Sequence, residues 1–152
     1  MSSFDVLVKN VTSDEVLSDA VEEILFEHRE EILDLVRIQL ESFGVDGSNK
    51  PITPEYRPYT VKIKKIKGQR YDHVTLNDTG NFHRSFYLQF FGTPGPKRYI
   101  ETNAKDGKLE DLAEKYGDEI IDLNEQSVQT IIDEIIRPNL PKKLLNKWLK
   151  NV

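Results

Sequence analysis

The chain predicts an α+β fold: a long N-terminal helix, a small antiparallel sheet containing a hairpin, and C-terminal helices. Three observations carry this. Apolar residues recur every three or four positions from Leu17 to Phe43. Two short β-type runs, residues 86–91 and 97–102, flank a loop rich in Gly and Pro. Helical apolar spacing then returns from Leu109 to Leu149.

Taken in order, residues 1–11 read as an N-terminal arm or short strand that docks on a neighbour, and residues 12–152 as a single α+β domain. Thr12 and Glu15 match the capping box that satisfies free donors at a helix start. The helix they open carries Leu17, Val21, Ile24, His28, Ile32, Leu35, Gln39 and Phe43 on one stripe. Gly44 supplies its left-handed stop. Gly47, Pro51, Pro54 and Pro58 make residues 45–58 an irregular loop. Val61 and Ile63 alternate with Lys62 and Lys64, which predicts a strand with one wet face, with a helix from Thr60 as the alternative. Gly68 marks a turn. In the 76–86 segment, Asp78 or Thr79 caps backbone donors and Gly80 takes a conformation that a side chain would hinder. Residues 86–91 form a strand with Phe86, Leu88 and Phe90 on one face. A turn at 92–96 returns the chain as a hairpin. Leu109, Leu112, Ala113 and Tyr116 define a helix ended by Gly117. Asn124 or Ser127 opens another, which stops near Pro138. The last segment, with Leu144, Leu145, Trp148 and Leu149, is a basic amphipathic helix.

Composition narrows the function. The 152 residues include no cysteine, which removes disulfides, thiolate metal sites and cysteine nucleophiles. No apolar run reaches the roughly 18 residues of a membrane span, and residues 1–6 lack the features of a secretory signal. A cytoplasmic origin fits both. The net charge of −5 is distributed in blocks. Residues 1–55 carry −9, 56–73 carry +5, 74–100 carry +2, 101–134 carry −8 and 135–152 carry +5. Each block suits a solvated face, and together they would let copies of the chain dock head to tail.

Catalytic motifs are weak. Asp78-Thr79-Gly80 spells the aspartic-protease triplet, but Asn77 and Asn81 flank it where that chemistry needs apolar and small residues around two carboxylates sharing a proton. His28, His73 and His83 lack metal-ligand spacing, and His28 falls on the apolar stripe as a core histidine. Asp72-His73, or Asp78 with His83, would serve Ser85 as a base only in a geometry the sequence does not fix. No catalytic, metal or cofactor-binding residue is therefore assigned. Lys62, Lys64, Lys65, Lys67 and Arg70, between Tyr59 and Tyr71, would make a basic hairpin for a phosphate backbone, against the plainer reading of a solvated face. Trp148 reads as a buried anchor, within the chain or against a neighbour.

One segment resembles a known family. Leu76, Thr79-Gly80, Phe82 and Ser85 reproduce the spacing found in tailed-phage tail-completion and virion-morphogenesis proteins, the head–tail joining or neck components. Thr60 and Lys62 upstream and residues 115–123 downstream extend the likeness across roughly residues 50–136. Phe82 stands where leucine is commoner. The resemblance implies a non-enzymatic virion subunit of a connector or tail-completion ring, commonly a hexamer. It would be assembled in the host cytoplasm and dock to portal and tail proteins, with no membrane partner. Thr79 and Gly80 would then serve the fold, and the basic segment would meet DNA in the ring lumen without reading sequence. An interaction or nucleic-acid-binding module is the alternative, and an aspartic-protease-like homodimer the third reading.

Overall fold

The computed structural model describes residues 15–91 and 99–150. The predicted arm at 1–11, the cap at Thr12 and the hairpin turn at 92–96 lie outside the described residues. The fold is α+β, with helices around a two-stranded antiparallel sheet.

The long amphipathic helix forms as α1 (Glu15–Glu27) and α2 (Arg29–Ile38), continued by a π-helical turn at Gln39–Phe43. Its stripe is buried as the spacing requires: Ala20, Val21, Ile24, Leu25, Ile32, Leu33, Val36 and Leu40 all belong to the core. Complete burial of such a side chain is worth about 1.5–3 kcal/mol, so this stripe anchors the molecule. Two stripe positions depart from expectation. His28 is not a core histidine: it interrupts the helix at φ −103° and ψ 19°, half-buried, with Nδ1 2.9 Å from Glu31 Oε1. Phe43 is 68% exposed, because the π turn shifts the register before the helix ends. Gly44 closes it in the left-handed conformation, φ +61°, donating to Leu40 O.

The segment at 59–67, read as a strand with a helix from Thr60 as the alternative, is a helix, α3 (Pro58–Ile66). Arg57 holds the extended conformation that proline imposes on its predecessor, and Pro58 occupies the first helical turn, where its missing N–H costs nothing. The alternation of Val61 and Ile63 with lysines therefore has no sheet to serve. Lys64 is buried, so the lysines of this segment do not form one wet face.

Gly68 turns the chain at φ +69°. A single helical turn, α4 (Asn81–Arg84), leads into β1 (Phe86–Phe91), which pairs with β2 (Tyr99–Ala104) in the register Phe86↔Ala104 to Phe91↔Tyr99. Phe86 and Leu88 are buried, while Tyr87 and Gln89 are half-buried on the other face. Helix α5 (Lys108–Tyr116) ends at Gly117, as its apolar spacing predicts. Asn124 caps α6 (Glu125–Thr130) by accepting from Ser127 N at 2.8 Å.

The helix does not stop near Pro138. A π-helical turn at Ile131–Ile136 passes directly into α7 (Arg137–Lys150), which contains Pro138 and Pro141. The Arg137 N–H reaches back five residues to Ile132 O, so the ladder is already offset where Pro138 removes a donor. Asn139 Nδ2 adds a donation to Ile135 O at 2.7 Å.

Helix α7 lies against α1, and the basic and acidic ends of the chain meet there. Lys143 Nζ is 2.6 Å from Glu27 Oε1, and Lys147 Nζ is 2.6 Å from Glu23 Oε1. These hydrogen bonds hold the Glu23 carboxyl below its usual range and the Lys143 ammonium above its own. Part of the charge complementarity expected between copies is thus spent within one chain. Trp148 is not an intramolecular anchor: it is 64% exposed, alongside exposed Leu145 and Leu149.

Candidate interaction groove at the Thr79–Gly80 turn

The segment carrying the family resemblance folds as an elbow. Thr79 Oγ1 accepts from Asn81 N at 3.3 Å, and Gly80 sits at φ +84°, ahead of α4. Phe82 is buried against Phe86, their rings perpendicular with centroids 5.0 Å apart. Ser85 Oγ donates to Phe82 O at 2.7 Å, which ties off the short helix before β1 begins. Each position of the motif thus has an architectural task, including Leu76, which joins the core.

The catalytic possibilities do not assemble around it. Asp78 is exposed and its Oδ1 is 2.7 Å from Lys67 Nζ. That hydrogen bond and charge hold its carboxyl below the usual aspartate range, the opposite of a carboxyl sharing a proton in a protease dyad. Ser85 is engaged with Phe82 and has no histidine partner. His83 Nε2 lies 2.8 Å from Thr75 O and His73 Nε2 lies 2.8 Å from Glu41 O, so both rings bind backbone. Among the described residues, no group of three or more His, Asp or Glu side chains is placed to hold a metal ion. No helix among them is long and apolar enough to cross a membrane.

His83 links the elbow to the long helix. Its ring stacks on Phe86 at 5.4 Å, and its carbonyl accepts from Arg37 Nε at 3.0 Å. Burial pushes its pKa below the ordinary histidine value, outweighing the opposing pull of Thr75 O and Glu41, while Arg37 and Lys64 lower it further. The folded ring therefore stays neutral at pH values where the unfolded ring, with a pKa of about 6.5, takes up a proton. Stability falls as pH drops from about 7 toward 5.5, by at most about 1.4 kcal/mol per pH unit. Urea midpoints measured across that range should show the loss, and His83→Gln should flatten it. An unchanged slope in the variant would remove His83 as the cause.

Basic residues of the 57–70 segment are largely engaged within the chain. Lys64 Nζ donates to Asn77 O at 2.6 Å and stands 5.0 Å from the Tyr56 ring centroid. Lys65 Nζ stands 4.8 Å from the Tyr71 centroid, Lys67 pairs with Asp78, and Arg70 donates to the carbonyls of Glu41 and Ser42. A basic hairpin does not exist; a helix does.

What the elbow, α3 and α5 enclose is a groove of about 450 Å³. Tyr56, Tyr59, Ile63, Leu76, Phe82, Leu112 and Tyr116 supply apolar walls, and Lys64, Lys67 and Lys108 the cationic groups. Sequence reasoning missed it. The available signal was Pro58 as a first-turn residue. At helical spacing Thr60, Ile63, Lys64 and Lys67 share one side, and all four line the groove. Comparison of the chain with protein-family models, with curated proteins and with solved structures yields no match.

Proposed function

We propose that the chain is a non-enzymatic structural subunit of a tailed-phage head–tail connector, neck or tail-completion ring, working by self-assembly and by docking to portal and tail proteins. The observation that carries the reading is the elbow from Leu76 to Ser85. The residues that resemble the family's motif are occupied with capping, a left-handed turn and core packing, and none is poised for a reaction. Exposed apolar residues support it from the other side. Tyr59, Ile66, Phe43, Trp148, Leu145 and Leu149 are each more than half exposed, a supply of surface suited to neighbours. On this reading the exposed Lys62 of α3 is a cation left to meet DNA in a lumen.

Light scattering coupled to size exclusion, with native mass spectrometry for the copy number, tests the proposal. The expected product is a closed assembly of more than two chains at micromolar concentration. A chain that stays monomeric across that range, alone and with purified portal rings, rejects it.

A further inference from the structure

Two helix faces line the groove beside the elbow. On α3, Tyr59, Ile63 and the C-capping Lys67 stand four residues apart and share one side, and on α5 Lys108, Leu112 and Tyr116 do the same. Each run joins a lysine to a tyrosine through an aliphatic side chain, over about 12 Å of helix. The lysine ends converge on one carboxylate. Lys67 Nζ lies 2.7 Å from Asp78 Oδ1 and holds that carboxyl below the usual aspartate range, with the charges of Lys64 and Lys108 acting in the same direction. Asp78 is the one acid lining the groove, against three lysines. The groove thus has a net positive end and an apolar body.

Three of its groups are left without a matching partner. Lys64 is 6% exposed, yet its ammonium meets only uncharged groups: Asn77 O at 2.6 Å, Gln69 Oε1 at 3.5 Å and the Tyr56 ring. A buried ammonium without an anion carries a desolvation cost that a nearby negative charge would offset. Lys108 is exposed, and its ammonium forms no ion pair among the described residues. Tyr59 is 75% exposed, and among the described residues its ring stacks on no other ring and meets no cation. The other two tyrosines are engaged, Tyr56 by Lys64 and Tyr116 by Lys115 at 4.9 Å. What stands open is one flat ring and two ammoniums.

These requirements select the ligand. A purely apolar molecule would leave Lys64 uncompensated, and a bare phosphate would leave Tyr59, Ile63 and Leu112 uncovered. A volume of about 450 Å³ lies in the range of small-molecule sites, whose apolar walls carry a few convergent polar groups. We propose that the groove between α3 and α5 binds a small aromatic anion, a planar ring bearing a carboxylate or a phosphate. Its ring lies against Tyr59 and its anionic group between Lys64 and Lys108. The site needs no second copy of the chain, so it stands apart from the ring reading above.

Calorimetric titration of the full chain with 2-naphthyl phosphate and with 2-naphthoate, in phosphate-free buffer, tests the proposal. At least one should bind with a Kd of about 0.1 mM or tighter, and the tighter of the two identifies the anionic group. 2-Naphthol and inorganic phosphate each carry half of the chemistry and should bind at least about tenfold more weakly. Tyr59→Ala should weaken the naphthyl anion about fivefold, and Lys108→Gln about tenfold. Both positions are exposed, so both variants should melt with the wild type. Lys62→Gln on α3 and Trp148→Ala on α7, exposed residues outside the groove, should leave the affinity unchanged. No binding at millimolar probe, equal affinity for 2-naphthol, or losses at the two control positions as large as those in the groove would overturn the proposal.

Discussion

Gln39→Leu is expected to lower the unfolding free energy by about 3 kcal/mol or more, measured as a shift in urea midpoint at constant m-value. Gln39 is 2% exposed and sits in the π turn that ends the long helix. Its Nε2 donates to Asp122 O at 2.8 Å and to Val45 O at 3.3 Å, while its Oε1 accepts from Asn124 N at 3.0 Å. One side chain thereby joins the helix C-terminus, the loop after Gly44 and the cap of α6. Leucine fills similar space, so no sizeable cavity forms. The loss comes from the buried Asn124 N–H and the part-buried Asp122 and Val45 carbonyls losing this partner, an unsatisfied buried group costing about 1–3 kcal/mol. A change below about 1 kcal/mol would mean that water replaces the amide and that the three segments are held together otherwise.

Gly44→Ala is the second large effect, expected at about 2–4 kcal/mol. A left-handed φ of +61° already disfavours a side chain, and the added Cβ would lie 2.4–2.8 Å from three carbon atoms of His73. That histidine is held by Glu41 O, so it has little room to yield. Gly68→Ala is the control: its φ of +69° is equally left-handed, but nothing lies within 4 Å, and the cost should stay near 1 kcal/mol. The difference between the two thermal or urea shifts isolates the steric contact. Equal costs would show that the His73 side chain moves aside freely.

Elements with one strong period were legible in the sequence. The stripe from Leu17 to Leu40, the run of Phe86 to Phe91 and the Leu109–Tyr116 helix appear where apolar spacing places them, and Gly44, Gly68, Gly80 and Gly117 each take a positive φ. Failures came where a residue's type masked its environment. Lys64 reads as a solvent residue, so its burial concealed the helical period of α3 and, with it, the groove. His28 reads as part of an apolar stripe because spacing does not reveal a break that a Glu31 contact accompanies. Pro138 reads as a stop because sequence rules assume an α-helical ladder ahead of it, whereas the π turn at Ile131–Ile136 had already moved that ladder. The Asp78-Thr79-Gly80 turn was readable as architecture because its flanks, Asn77 and Asn81, are wrong for a buried dyad.

That same π turn sets the azimuth of everything after it. A π turn accommodates an extra residue within an α-helix, and each residue advances the helix by about 100°. Lys143 and Lys147 face α1, and Trp148 faces away, because of the residue count through 131–136 and not because of the composition of α7 itself. A one-residue deletion there would rotate α7 like a dial by about 100°, turning a different side of it toward α1 while altering none of the side chains on it.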